Sequence, residues 1–196
     1  MPSGQPLVLA STSAARRALL DRLHLPYEAV APACDERAIL GSSPEETARL
    51  RALAKAESVA RERAGALVIG SDQVVELDGE LLGKPGTAAA AEAQLARLAG
   101  REHRLVTAIA IVGPDASREP ELATTVHRMS MRSLDRSEIG RYVAADDPSG
   151  CAGSYKVESL GIALFDRIDG DDWTAIVGLP LLALSAMLRR AGYALP

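Results

Sequence analysis

Apolar and polar positions alternate along this chain with two different periods, and the switches between them mark the elements. Leu7–Ala10 is a short unbroken apolar run, predicting a buried strand, and Ser11-Thr12-Ser13 behind it are all residues that cap a helix. The helix they open reaches about His24, with Leu19, Leu20 and Leu23 as its apolar side. Pro44 opens a longer helix through about Arg63, whose stripe of Ala48, Ala52, Ala56, Val59 and Ala60 keeps helical spacing. Leu67–Gly70 predicts a buried strand ending in the polar residues Ser71-Asp72-Gln73. Val74–Leu77 and Glu80–Leu82 flank Asp78-Gly79, which suits a type I′ hairpin turn. Thr87 caps a helix that Gly100 stops, Leu105–Val112 and Thr124–Met131 predict strands joined by a Pro/Asp/Ser loop, and Asp135 with Glu138 forms a capping-box pattern for a helix to about Ala145. Ile162–Ile168 predicts a further strand, and Pro180 starts a Leu-rich terminal helix. Strands and helices interleave throughout, so the fold class is α/β with a mixed sheet.

Composition changes this picture only by exclusion. The 196 residues suit one domain, 1–196, because neither an internal repeat nor a Pro/Gly/Ser-rich linker divides them. A formal charge of −4 argues against a general basic surface for a nucleic-acid polymer, so any anion site must be local. Met1–Pro6 has no basic leader and no apolar run could span a bilayer, which predicts a cytoplasmic protein free of the membrane. Cys34 and Cys151 have no metal-ligand spacing and read as reduced thiols. His24, His103 and His127 stand in separate segments and read as solvated or packed.

Four places carry polar groups that a core does not call for. Ser11-Thr12-Ser13 with Arg16 and Arg17 joins hydroxyls, a helix start and two guanidiniums, a set that suits phosphate but also describes a capped helix with solvated arginines. Lys55 falls at the border of an apolar stripe, where it either snorkels outward or has a function. Asp72, expected at the carboxyl end of a buried strand, could hold a divalent metal, take a proton from water, or simply form a turn. Lys84, between Gly83 and Pro85, is either a positioned point charge or part of a surface turn. Asp35-Glu36 adds an acidic pair, and Lys156 and Glu158 lie in a glycine-flanked segment. Carboxylates, scattered cations and the absence of a Cys or His nucleophile arrangement suit metal-assisted attack of water on a phosphoanhydride, without naming a substrate.

The motifs LASTSAARRALL (Leu9–Leu20), CDE (Cys34–Glu36), IGSDQVV (Ile69–Val75), GKP (Gly83–Pro85), AGSYKVES (Ala152–Ser159) and VGLPL (Val177–Leu181), with the Ala-rich helix around Lys55, occur in one order. In that order the chain resembles the Maf family of nucleotide pyrophosphatases over essentially its whole length. The resemblance implies an elongated mixed β-sheet flanked by helices, in two lobes with a central cleft, of the Maf/ITPase-like kind. It implies cleavage between the α and β phosphates with a divalent metal, Mg or Mn. Asp72 then looks like the proton acceptor, Glu36 with Asp72 like the metal ligands, and Ser11, Arg16, Arg17, Lys55 and Lys84 like the holders of the triphosphate. A homodimer and a link to division-septum control also come with the resemblance, the latter as a rival, binding-protein reading.

Three positions bear on the base: Ala15, Gln73 and Glu158. Ser-Asp-Gln with Lys-x-Glu resembles the 7-methyl-GTP pyrophosphatases rather than the forms acting on dTTP, UTP or CTP. N7-methylguanine is cationic and offers adjacent N–H donors, both of which one carboxylate such as Glu158 accepts; Glu158 alternatively pairs with Lys156 or Arg167. Ala14 stands where the family has Pro. Ala15 stands where some 7-methyl-GTP members carry an aromatic residue, and it lacks the cation–π attraction of roughly 0.5–2 kcal/mol that an aromatic face supplies.

Overall fold

The computed structural model describes residues 4–115 and 118–196. Met1–Ser3, which carry part of the leader reading, and Ala116 and Ser117 of the Pro/Asp/Ser loop lie outside the described residues. Seven strands form one mixed sheet in the order β2-β1-β3-β5-β6-β7, with β4 paired to β3. β1 (Leu7–Ala10) runs parallel to β2 (Glu28–Val30) and to β3 (Leu67–Leu77). β4 (Glu80–Leu82) is antiparallel to β3, and β7 (Phe165–Asp169) is antiparallel to β6 (Glu121–Met131); β5 (Glu102–Val112) lies between β3 and β6. The α/β class with a mixed sheet is therefore as the sequence predicts.

The chain divides into two compact units. One takes the described residues of Met1–Asp72, Thr107–Thr125 and Asp172–Pro196. Its helices are α1 (Ala14–Leu20), α2 (Pro44–Ala60), α5 (Trp173–Val177) and α6 (Leu181–Arg190). Leu7, Leu9, Ile69 and Ile109 from its strands pack with Leu19 and Leu20 of α1 and with Leu184, Met187 and Leu188 of α6. The other takes Gln73–Val106 and Val126–Asp171, with helices α3 (Ala88–Leu98) and α4 (Arg136–Asp146) packed on each other. Thr87 caps α3, and the Asp135/Glu138 capping box at α4 is complete. Asp78 and Gly79 both have positive φ, 52° and 84°, as a type I′ turn requires. Among the described residues, no helix is long and apolar enough to cross a membrane.

Two sequence expectations fail. Ser71-Asp72-Gln73 does not end a strand: β3 runs unbroken through it for 11 residues, so Asp72 sits mid-strand, not at a carboxyl end. Ser71 is tolerated in β3 because its one hydroxyl proton lies within reach of two carbonyls, those of Ala108 and Gly178 at 3.1 and 2.8 Å. Ile162–Leu164 is not strand either; Leu160–Leu164 forms 3₁₀ turns, and the strand is confined to Phe165–Asp169. The 3₁₀ segment carries Gly161, whose absent side chain admits the Lys156 backbone: a Cβ there would meet the Lys156 carbonyl oxygen at 2.4 Å. Strand β2, the 3₁₀ turn Glu36–Ala38 and helix α5 carry too few residues for periodicity to show them.

The contact that places the site is Gly70. A Cβ there would stand 2.1 Å from the Ala52 carbonyl oxygen and 2.8 Å from the Ala56 nitrogen, so α2 lies directly on the β3 backbone. Gly70→Ala is expected to destabilise the protein by about 1–3 kcal/mol in urea unfolding, because neither backbone can yield cheaply. An unchanged midpoint would show that α2 is not seated there.

His103 in the second unit is buried, its Nε2 is 2.9 Å from the Tyr155 hydroxyl, and its Nδ1 has no partner. Burial pushes its pKa down from 6.5 to about 4. Between those values the unfolded chain takes a proton that the folded chain refuses, so stability is full above about pH 7 and falls as pH drops. By pH 5 the loss attributable to His103 should be about 2 kcal/mol. His103→Gln should flatten the unfolding midpoint over that range; a wild-type midpoint already flat from pH 7 to 5 would contradict this.

Candidate active site

The predicted residues of the first unit lie just after β1, on α1, on the 3₁₀ turn Glu36–Ala38, on α2 and on β3. Ser11 is buried and its Oγ accepts the Ser13 N–H at 3.1 Å, while Ser13 caps α1 by accepting the Arg16 N–H at 3.3 Å. The Arg16 guanidinium turns inward, its Nε donating to the Gly178 carbonyl at 2.9 Å. Burial lowers the Arg16 pKa, while the charges of Asp72 and Glu36 pull it back up, which puts all three in one electrostatic environment. Arg17, one residue on, is exposed, and its backbone carbonyl accepts from the Tyr27 hydroxyl at 3.3 Å. The structure thus brings Arg16 to the acidic residues and leaves Arg17 on the outer face of α1.

Lys55 does not snorkel. Its side chain is 8% exposed and its Nζ lies 2.6 Å from Asp72 Oδ1. The same ammonium pairs with Glu36 Oε2. Glu36 is presented by the 3₁₀ turn Glu36–Ala38, which Asp35 caps by accepting the Arg37 N–H at 3.1 Å. Lys55 can be held this way because the Ala48/Ala52/Ala56 stripe lays α2 against β3 and turns the next position over Asp72. Asp72 Oδ2 is buried and receives no hydrogen bond.

Sequence reasoning missed Arg51 and Gly178. Arg51 Nη1 lies 3.9 Å from Asp72 Oδ2 and its Nε donates to the Ile39 carbonyl at 3.0 Å. Its position four residues before Lys55 was the available signal, since such pairs share a helix face. The Gly178 carbonyl serves both Arg16 and Ser71, and its φ of 113° is a conformation that side chains resist. Gly178 lay inside the VGLPL motif with no role attached.

Cys34 lies close enough to feel Lys55, Glu36 and Asp72, but burial outweighs the ammonium and pushes its thiol up, so it stays protonated. Both cysteines are free, as expected of reduced thiols.

The second unit holds the other predicted residues. Gln73 follows Asp72 on β3 and is half-buried. Lys84 and Glu158 are exposed, and both, with Lys156, act electrostatically on Cys151. Glu158 pairs with neither of the basic residues considered for it: Lys156 Nζ donates to the Asp146 carbonyl at 2.6 Å and Arg167 is bound to Asp169. Its carboxylate faces water. Ala15 is half-buried on α1.

As to a metal, the described residues contain no group of three or more His, Cys, Asp or Glu that could hold one. Two carboxylates sharing one ammonium, one of them with a bare buried oxygen, do fit a magnesium-type ion, which binds through one or two carboxylates and completes its shell with water and phosphate.

A mixed α/β fold carrying buried cations interlaced with carboxylates defines an anion-handling protein, of a kind suited to phosphate chemistry. The chain belongs to the Maf family: the family's profile, described as Maf-like protein, matches residues 6–191. A relative named 7-methyl-GTP pyrophosphatase from Xanthomonas campestris pv. campestris is 50% identical over 97% of this chain and 98% of its own. Relatives of the same name from Aromatoleum aromaticum and Polaromonas sp. are 50% and 49% identical, covering 97% and 99% of this chain and 97% and 88% of theirs. Among solved structures, a Staphylococcus aureus Ham1 protein aligns with 65% of this chain and 72% of its own at a TM-score of 0.47 and 23% identity.

Because Lys55 is buried between two carboxylates, removing its charge should be costly. Lys55→Met is expected to lose about 3 kcal/mol of unfolding free energy, measured with chelator present. Adding Asp72→Asn should recover much of that loss, since the buried partner then carries no charge and the remaining one, Glu36, is 37% exposed and can be solvated. Additive losses would mean the two side chains are not energetically coupled.

Proposed function

We propose that this protein is a cytoplasmic, metal-dependent nucleoside triphosphate pyrophosphatase that converts 7-methyl-GTP to 7-methyl-GMP and pyrophosphate and so removes a modified nucleotide. The observation that carries the reading is the Lys55–Asp72–Glu36 cluster with Asp72 Oδ2 left bare. The full-length relatives named 7-methyl-GTP pyrophosphatase support the substrate.

In this reading Asp72 Oδ2, which accepts no hydrogen bond and is closed to solvent until nucleotide draws Lys55 away, takes a proton from water as that water attacks the α-phosphorus. Lys55 is the group between base and substrate: a phosphate oxygen can compete for the ammonium that now joins Asp72 to Glu36. Arg16, pinned through Nε, keeps the rest of its fork for the triphosphate, alongside Ser11. Arg17 and Lys84, both exposed, are further holders of the triphosphate on the strength of the family resemblance. Glu36 and Asp72 would hold the magnesium or manganese ion, which neutralises charge on the phosphate oxygens when bound. Glu158, with its carboxylate unpaired by Lys156 or Arg167, accepts the adjacent N–H donors of the cationic base, and Gln73 assists.

The test is hydrolysis of 7-methyl-GTP, GTP, dTTP, UTP and CTP with magnesium or manganese, identifying the phosphate released. Pyrophosphate from 7-methyl-GTP ahead of the rest is expected, with Asp72→Asn slower by about 10²–10⁴-fold while still binding nucleotide. Glu158→Gln should shift preference towards pyrimidines. Pyrophosphate mainly from dTTP, UTP or CTP would overturn the substrate and point to Ala15; none from any nucleotide would favour a binding protein of the division-control kind.

A further inference from the structure

Arg51 has no part in the reading above, yet its placement is hard to explain as structural. Its guanidinium is held by one end: Nε donates to the Ile39 carbonyl, and no acceptor among the described residues takes the rest of the fork. The other end points at Asp72 Oδ2 but stops at 3.9 Å, beyond hydrogen-bond length. An arginine placed to satisfy a carboxylate closes that distance. In the same unit Arg63 grips Glu28 with two bonds of 2.9 and 3.2 Å. In the other unit Arg132 spends its Nε on the Ala163 carbonyl and Nη1 on Ser133 and Glu138. Arg51 resembles neither. It resembles Arg16, also tied to a backbone carbonyl through Nε with the fork left over. The Arg51 side chain is 17% exposed, so water or a ligand can reach it.

Two unmet groups therefore face each other across 3.9 Å: a donor on Arg51 and an acceptor on Asp72. That gap is too long for a direct hydrogen bond; Oδ2 is closed to solvent, and an oxygen set to one side engages both groups once nucleotide draws Lys55 away and opens it. We propose that Arg51 is a further catalytic residue, donating to the attacking water and to a non-bridging oxygen of the α-phosphoryl group; this rests on the pyrophosphatase reading above. In the step, the water oxygen forms a bond to the α-phosphorus and gives a proton to Asp72 Oδ2. The bond from that phosphorus to the α,β-bridging oxygen breaks, and its electron pair leaves with pyrophosphate. In-line attack puts water and leaving group on opposite sides of phosphorus. A cation beside the base is then on the water's side, so Arg51 acts on the phosphoryl group under attack and not on the departing pyrophosphate. Arg16 and Lys55 bind the triphosphate whether or not reaction occurs, whereas Arg51 does most when charge builds on the α-phosphoryl oxygens.

This predicts a separation of kcat from KM. Arg51→Ala should lower kcat for 7-methyl-GTP by about 10²-fold, with KM moving by less than about threefold. Arg51→Lys should restore part of the rate, and the thermal midpoints of both variants should match wild type. The decisive readout is the Sp and Rp diastereomers of 7-methyl-GTPαS, compared with one metal ion. Wild type should turn over one diastereomer much more slowly than the parent nucleotide, and Arg51→Ala should shrink that ratio several-fold, because the oxygen replaced by sulfur has lost its donor. A kcat within about threefold of wild type, or a sulfur ratio unchanged in Arg51→Ala, overturns the inference alone. Failure of the wild-type chain to release pyrophosphate overturns the pyrophosphatase reading and this inference with it.

Discussion

A lysine ammonium buried between two carboxylates is the constraint that organises this protein's chemistry. Taking Lys55 out of water costs several kcal/mol, and only close partners offset that. Asp72 Oδ1 at 2.6 Å and Glu36 provide them. The three groups come from α2, from β3 and from a one-turn 3₁₀ segment, so the ion cluster ties the Glu36 turn to a helix and strand already packed through Gly70. With Arg16 and Arg51 the local charge is one net positive, balanced enough to stay folded without a ligand and still biased towards an anion. A protein with a net charge of −4 thus carries an anion site without a basic surface.

The cluster in turn depends on how near α2 comes to the sheet. Alanine at three stripe positions and glycine at position 70 leave little more than the alanine Cβ atoms between helix and strand. That closeness explains why Asp72 can sit mid-strand. Sites in α/β sheets usually lie beyond strand ends because a strand interior is covered by helices. Here the covering helix itself brings Lys55 and Arg51, so the carboxylate is met by charge where a core strand would meet hydrocarbon.

How much of this was legible in the sequence follows from the range of each interaction. The alanine stripe of α2, the Asp78-Gly79 turn, the Thr87 cap and the Asp135/Glu138 box are local, and each was readable and stands. The extent of β3 was not, because Ser71 is satisfied by carbonyls 37 and 107 residues away. At the site, Asp72, Lys55, Arg16 and Glu36 were named beforehand, Glu36 only through family resemblance, and the structure gathers all four. Arg51 escaped because on one helix it reads as an ordinary surface charge. Only the Ile39 carbonyl, 12 residues back in the chain, and the position of Asp72 show that it turns inward. Arg16 and Arg17 were indistinguishable as a pair until the Gly178 carbonyl claimed one of them.

The choice of base rests on different physics from the chemistry. An exposed carboxylate gains little from charge alone, about 0–1 kcal/mol for a surface pair. An aromatic face would add roughly 0.5–2 kcal/mol for a cationic base, and Ala15 withholds it. On the proposed reading, discrimination against pyrimidines must therefore come from hydrogen-bond pattern, while GTP, which offers the same donors, differs in lacking the positive charge. N7-methylguanine presents two adjacent donors that one carboxylate accepts together, whereas a pyrimidine edge has no two adjacent donors and leaves an acceptor facing the carboxylate. Repulsion between that acceptor and the carboxylate disfavours the wrong base even where attraction to the right one is modest. A carboxylate already paired with lysine or arginine could not act this way, because its oxygens would be occupied. Lys156 and Arg167 are drawn instead to Asp146 and Asp169, and on the proposed reading that diversion is what lets Glu158 discriminate.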